Sequence, residues 1–395
     1  MLGMALVPAP AGCQNDTRRI APMTDYTTEV AMLLDKAEEF KEGPAKVACL
    51  EEAARIADTH QDVPLGYQAR KKLLPACLDA GQPDLMLVAY SWCLAQCDRD
   101  PARFGVDDIL WEYRWIISEM PTFPQITRSQ IDDALGDITR RYRAAGSTLR
   151  AIHLLRVNVG ISIKDKPGAA EALGHWKAAA RDRFSDDPET ERAFLADYHF
   201  FQEDYEAGIR QCDSVLKGRM TSEHFFGSDC ADLLYPLWVT GRPDLAEQCH
   251  KKGYRYVAWN PRYVDCCGDH VEYLALTGRF PRCIRLIEKH LPVALLARKP
   301  NDRMAFLRSM YVFAAKALAA GQSTVTVKLP DGFPVPSAAE NVYELRALAD
   351  RLKSDVAHWS ALYDARNGND YYAARLARCE TDVARTPPVP ARRRP

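Results

Sequence analysis

From Asp25 almost to the end of the chain, apolar residues recur every three to four positions, the spacing that gathers them on one face of an α-helix. In 27–41, Val30, Leu33, Leu34, Ala37 and Phe40 share a face, and in 44–59 Val47, Leu50, Ala54 and Ile56 do. The pattern predicts further helices over 62–80, 84–97, 107–119, 129–145, 147–162, 168–181, 188–201, 205–216, 222–239, 243–257, 263–276, 281–296 and 303–320. Strand alternation is confined to Ser323–Leu329, and the Pro330-Asp331-Gly332 turn after it predicts a short β-hairpin over 323–335. Helical spacing resumes over 337–364 and 369–384. An alternating α/β enzyme would need strands between the helices, and none are predicted there.

The helices are joined by a recurring punctuation. In Thr240-Gly241-Arg242-Pro243-Asp244-Leu245-Ala246, Gly241 suits the left-handed residue that ends a helix. Pro243 and Asp244 suit the first turn of the next one. Versions recur at Gly81 and Gly278, and matching turns fall at Glu42, near Phe123, and at Asp165, Glu203 and Gly321. Successive turns are 37 to 43 residues apart, with two units between Gly81 and Asp165. A helical hairpin repeated at such a period is the mark of a solenoid. Five residues past the turn stands a small residue in several units (Ala170, Gly208, Ala246, Cys283), where two helices must approach closely. Prolines at Pro64, Pro101, Pro188, Pro261 and Pro300 are read as closing their units, and Pro75 and Pro236 as kinks within helices.

The Gly241–Ala246 turn, Asp204-Tyr205-Glu206-Ala207 and the spaced prolines resemble the tetratricopeptide-repeat family over about 25–296. The units are longer than that family's 34 residues and lack the usual tryptophan and glycine of the first helix. The resemblance implies an all-α fold, a right-handed α-α superhelical solenoid of about seven to eight helical hairpins. The expected organisation is a disordered leader over 1–24, the solenoid over 25–321 and the β-hairpin or loop insertion over 322–336. C-terminal helices over 337–384 are expected to cap the last repeat, followed by a disordered basic tail over 385–395.

Composition narrows the functional classes. The chain has 395 residues, 47% of them apolar, and a formal net charge of −1, so no global field recruits nucleic acid or an anionic membrane. Mean hydropathy is −0.31 and no long apolar run occurs, which argues against a spanning helix. The leader's short apolar stretch carries Pro10 and lacks the basic start of a secretory signal. Twelve cysteines are scattered singly, mostly within helical patterns, as in a reducing cytoplasmic protein.

Candidate chemistry is sparse. No phosphate-binding loop, nucleophile elbow or His-Glu-x-x-His motif is present. Cys266 and His270 lie one helical turn apart, and Cys93 and Cys97 have the same spacing, but two ligands do not make a metal site. The basic runs at 70–72 and 140–143 are each surrounded by acids and read as solvated helix faces. No cofactor and no bound metal are expected. By the resemblance, residues shortly before each turn face the concave groove: Lys71, Tyr113, Asp197, Tyr235, Trp238, Glu272, Arg308 and Tyr311. Such a mixture of aromatics and single charges suits an extended peptide or a partner helix. The expected function is a non-enzymatic cytoplasmic scaffold or adaptor binding a protein or peptide. The alternatives are a helical-repeat enzyme or metal-dependent hydrolase around Cys266 and His270, and a peptide-responsive regulator.

Overall fold

The computed structural model describes residues 25–217 and 223–385. The leader over 1–24 and all but the first residue of the basic tail lie outside them. The first block comprises α1 (Tyr26–Glu39), α2 (Pro44–Thr59), α3 (Val63–Asp79) and α4 (Pro83–Arg99). It continues through α5 (Leu110–Glu119), α6 (Arg128–Ala144), α7 (Arg150–Ser162) and α8 (Lys166–Ala178). Next come α9 (Pro188–Phe201), α10 (Tyr205–Gln211), α11 (Asp213–Leu216), α12 (Glu223–Asp232), α13 (Leu234–Val239) and α14 (Pro243–Val257). The last block holds α15 (Val264–Leu276), α16 (Phe280–Leu295), α17 (Pro300–Ala319), a small sheet, α18 (Leu345–Asn367) and α19 (Tyr371–Ala384). The fold is therefore mostly helical, and no described helix is long and apolar enough to cross a membrane.

Local chemistry explains where the helices begin. Pro44, Pro83, Pro188, Pro243 and Pro300 occupy first helical positions, where the missing N–H costs no hydrogen bond and the fixed φ is already helical. Thr127 and Gln130 form a reciprocal capping box on α6, the Thr127 N–H donating to Gln130 Oε1 at 2.8 Å. Four of the five prolines expected to close units thus open a helical element, and Pro101 lies in the turn after α4. Pro64 lies in the first turn of α3, and Pro261 starts a 3₁₀ turn ahead of α15. Helix α3 runs unbroken through Pro75, whereas the helix is interrupted at Leu233, between α12 and α13. Pro236 has no N–H for the Asp232 carbonyl four residues earlier, and the helix is interrupted beside that carbonyl.

Helices adjacent in sequence are adjacent in space: α1 packs on α2, α2 on α3, α3 on α4, α7 on α8, α9 on α10, α12 and α13 on α14, and α15 on α16 and α17. One large apolar cluster is built from α1 to α7 and another from α13 to α19. The close approaches fall where small residues stand. A Cβ on Gly253 would lie 2.3 Å from the Cβ of Cys230, so α14 meets α12 at glycine contact.

The sheet differs from the expected hairpin. Strand β1 (Thr324–Thr326) pairs antiparallel with β3 (Val342–Glu344), and β2 (Ser337–Ala339) lies on the other side of β3. Pro330, Pro334 and Pro336 supply no ladder N–H, so the chain passes through them without pairing and returns later. Asn341 makes the tight β2–β3 turn at φ +55°, and α18 starts at Leu345 rather than near Ser337.

The C-terminal helices reach well beyond the helices that immediately precede them. Arg366 donates to the carbonyls of Pro121, Phe123 and Ile126, and Tyr363 Oη donates to the Thr122 carbonyl. Asn369 donates to the Ile163 and Lys164 carbonyls. Further on, α19 contacts residues of α13, α15 and α17. The apolar faces of α18 and α19 join the cluster built from α13 to α17, while the hydrogen bonds of Arg366 reach chain up to 245 residues away.

Candidate functional site

Helices α7, α9, α10, α12, α13 and α15, with the turns after α7 and α9, converge beneath α19 around a cavity of about 330 Å³. The turn after α7 supplies Lys164. Helix α9 and the turn after it supply Asp197, Phe200 and Glu203. The α12–α13 pair supplies Asp232, Tyr235 and Trp238, and α15 supplies Asp269 and Glu272. Helix α19 closes one side with Tyr371, Arg375 and Arg378.

Ion pairs fasten that side. Arg375 donates to Glu272 at 3.1 Å, and its guanidinium lies 4.9 Å from the Tyr235 ring. Tyr235 Oη donates to Asp382 at 2.9 Å, and Arg378 donates to Glu203 at 2.7 Å. Arg308 holds Glu272 from the other side at 3.6 Å and reaches Asp269 at 3.8 Å. Burial alone would raise the Glu272 carboxyl. Arg375 and Arg308 outweigh it, so the group stays below the ordinary glutamate range and charged.

Other carboxylates are not compensated in this way. Asp197 and Asp232 have no hydrogen-bond or ion-pair partner among the described residues. They stand on α9 and α12, and Asp197 and Asp269 each raise the cost of charging Asp232. Burial pushes Asp197 up to about 7; burial also pushes Asp269 up to about 8, against the pull of Arg308. Lys164, in the turn after α7, has no carboxylate partner among the described residues; its ammonium lies 5.1 Å from the Tyr371 ring centroid and 5.5 Å from that of Tyr372. Burial lowers it to about 8, with Arg308 and Arg375 adding to the effect. Trp238 is 4% exposed, and its buried indole N–H has no acceptor.

Two turn residues belong to this site because of their backbone. Lys164 and Glu203 adopt left-handed conformations, at φ +63° and +65°, where the later turns place Gly241, Gly278 and Gly321. The fourth turn therefore centres on Lys164 rather than Asp165, which instead caps α8 by accepting from the Gly168 N–H at 2.9 Å.

The structure places the sequence-predicted residues unevenly. Asp197, Tyr235, Trp238 and Glu272 come together on the cavity, and Arg308 stands behind Glu272. Tyr311 donates to Glu380 of α19 at 3.4 Å. Lys71 pairs with Asp108 at 3.6 Å, away from the cavity. Tyr113 is buried, stacks on Tyr90 and donates to Asp137 at 3.0 Å. Sequence reasoning passed over Lys164, Glu203, Asp232, Arg375 and Arg378. The available signals were a charged residue at a glycine turn position and aspartates recurring near the repeat period at 197, 232 and 269.

The Cys266–His270 neighbourhood has a different character. Both side chains are buried, and His270 Nδ1 lies 3.1 Å from His250 Nδ1. Tyr254 Oη bridges to His290 Nε2 at 2.8 Å. Burial raises the Cys266 thiol far above its ordinary value, away from the thiolate that metals bind. Among the described residues no group of three metal-ligating side chains converges. Cys93 and Cys97 are core residues, with Tyr67 Oη 3.5 Å from Cys97 Sγ. All cysteines among the described residues are free thiols.

No family model matches the chain, and no curated protein matches it.

Proposed function

We propose that the chain is a tetratricopeptide-like, right-handed α-solenoid of about seven to eight helical hairpins that acts as a non-enzymatic, cytoplasmic binding protein. Its groove takes a peptide or the peptide segment of a protein partner. The recurring left-handed turns at Lys164, Glu203, Gly241, Gly278 and Gly321 support the repeat reading. Sequential packing of the helices supports it too.

One observation carries the functional reading: Asp197, Tyr235 and Glu272, each about one repeat apart, line the same cavity. A groove built from equivalent positions of successive hairpins is how helical repeats make a continuous binding surface. The chain's own α19 already occupies part of that surface, leaving the cavity as the open part. The basic runs lend themselves poorly to nucleic acid, because Arg70 pairs with Asp58, Lys72 with Glu38 and Arg141 with Asp98.

Site-specific photocrosslinking tests the reading. A benzophenone side chain at Tyr205, which lines the cavity, should give a partner adduct, while one at the exposed Val88 should not. The Tyr205 adduct should vanish when Asp232→Arg fills the cavity. Adducts at neither position, or at Val88 alone, would rule out the groove as the binding surface.

A further inference from the structure

A second cavity, of about 350 Å³, opens on the row of alternate helices α3, α5, α7 and α9. Trp111 and Trp115 of α5, Leu154 and Leu155 of α7 and Phe194 of α9 supply its apolar walls. It shares two helix faces with the cavity beneath α19. Along α7, Leu154 and Asn158 line the second cavity and Ile161 the first; along α9, Thr190 and Phe194 line the second, and Asp197 and Phe201 the first. Within each row the residues are three or four apart, so each row lies on one face of its helix. From Asn158 to Ile161, and from Phe194 to Asp197, is a rise of only about 4.5 Å along the helix axis.

The charged residues that line this second cavity are all answered within the chain. Arg114 donates two hydrogen bonds to Asp186, at 2.9 and 2.7 Å, and both residues are buried. Arg262 pairs with Asp79 at 3.2 Å, and Glu119 with Lys299 at 3.8 Å. Asp187 caps α9, accepting from the Glu189 and Thr190 N–H groups at 2.9 and 3.1 Å. Asn158 donates to Ser118 at 3.2 Å. An ionic occupant would lose water here and meet no free counter-charge, whereas an apolar occupant loses nothing by leaving water. The walls are also tied to one another. Arg114 on α5 grips the segment ahead of α9, and Arg150 of α7 donates twice to Glu191 of α9, at 2.9 and 3.1 Å. A cavity braced in this way is formed before its occupant arrives, which spares the ordering cost of an induced site.

We infer that this second cavity anchors the partner peptide by one large, uncharged hydrophobic side chain, aromatic or leucine-like. The inference rests on the groove reading above and adds to it the chemistry of the anchor. Anchors of this kind, seated in preformed apolar pockets, carry much of the affinity of a peptide interface. Trp111, 42% exposed, stands at the mouth, where an arriving side chain covers it. The shared faces of α7 and α9 give the rest of the peptide a path to the cavity beneath α19.

Prodan, an uncharged naphthalene dye, probes the cavity in the full chain. Its emission should shift to the blue on binding, and the anionic anilinonaphthalene sulfonate should bind at least tenfold more weakly. Ser118→Phe, which fills the cavity from α5, should weaken prodan at least tenfold. Asp232→Arg, in the neighbouring cavity, should leave it within about twofold. Circular dichroism monitors folding; should Ser118→Phe fail to fold, Thr190→Phe fills the cavity from α9 and decides instead. For the partner, a benzophenone side chain in place of Trp111 should give the same adduct as one at Tyr205, and excess prodan should erase the Trp111 adduct. Prodan that does not bind, that binds as well to the filled cavity, or that binds no better than the sulfonate would overturn the inference. So would a Trp111 adduct indifferent to prodan, or one absent while the Tyr205 adduct forms. Loss of both adducts with prodan bound as expected would overturn the groove reading, and with it the peptide as occupant of a cavity that still takes apolar groups.

Discussion

Lys164 is a residue whose backbone and side chain make opposing demands. At φ +63° a lysine pays a conformational cost of roughly 1 kcal/mol that glycine avoids. Its side chain is also drawn out of water, which lowers the ammonium to about 8. Lys164→Gly is therefore expected to leave unfolding stability within about 1 kcal/mol of the parent, the backbone relief offsetting the lost ring contacts and the entropy glycine adds to the unfolded chain. The partner adduct at Tyr205 should be lost in the same variant, because Lys164 lines the same cavity. Urea titration beside photocrosslinking checks both, and a stability loss of several kcal/mol would recast Lys164 as a structural residue. The sequence held a readable clue at this position, a charged residue where later units carry glycine, but the turn was placed one residue late. Asp165 has the composition of a turn residue too, and only the backbone separates a left-handed residue from the helix cap that follows it.

At the scale of elements, helices were legible because their signals are local. Spacing of apolar residues, prolines in first turns and capping side chains all lie within a few residues of what they specify. Sheet pairing was not legible, since β1 chooses β3 across three prolines and an insertion. Close helix contact was partly legible, in the small residues placed near each turn. Gly253 makes the sharpest case: its Cα approaches Cys230 so closely that a methyl group must push α14 from α12. Gly253→Ala is expected to cost about 1–3 kcal/mol, read from the urea midpoint at unchanged slope. The seat of α19 depends instead on charge. Glu272 is 5% exposed and receives both Arg375 and Arg308, so Glu272→Gln leaves two guanidinium groups short of an anion. A loss on the order of 3 kcal/mol is expected. Amide exchange should quicken in α19 more than in α1 or α2; uniform quickening would mean that Glu272 supports the whole fold rather than the docking of one helix.

At the scale of the whole molecule, the folding of α18 and α19 across much earlier helices escaped the sequence because no local signal encodes it. An amphipathic terminal helix reads the same whether it covers its neighbour or lies on distant helices. Two sets of titrating groups, interleaved in the chain between Asp197 and His290, give the folded molecule a measurable signature. Burial raises Asp197 and Asp229 to about 7 and Asp269 to about 8, so the folded protein holds protons that the unfolded chain releases near pH 4. Stability from this set grows as pH falls from about 8. Burial lowers His250 and His290 to about 4 and His270 further, while the unfolded chain protonates its histidines near 6.5. Stability from this set is complete above pH 6.5 and is lost as pH falls toward 4. Each fully linked group contributes up to about 1.4 kcal/mol per pH unit within its window. Between pH 8 and 6.5 only the carboxylates act, so urea stability should rise on acidification; below 6.5 the two sets oppose and the curve should flatten. Replacing His250 and His290 together by Gln removes much of the opposing set, and the curve should then keep rising to about pH 4.5. A double variant that flattens at the same pH as the parent would show that the buried histidines do not set the plateau.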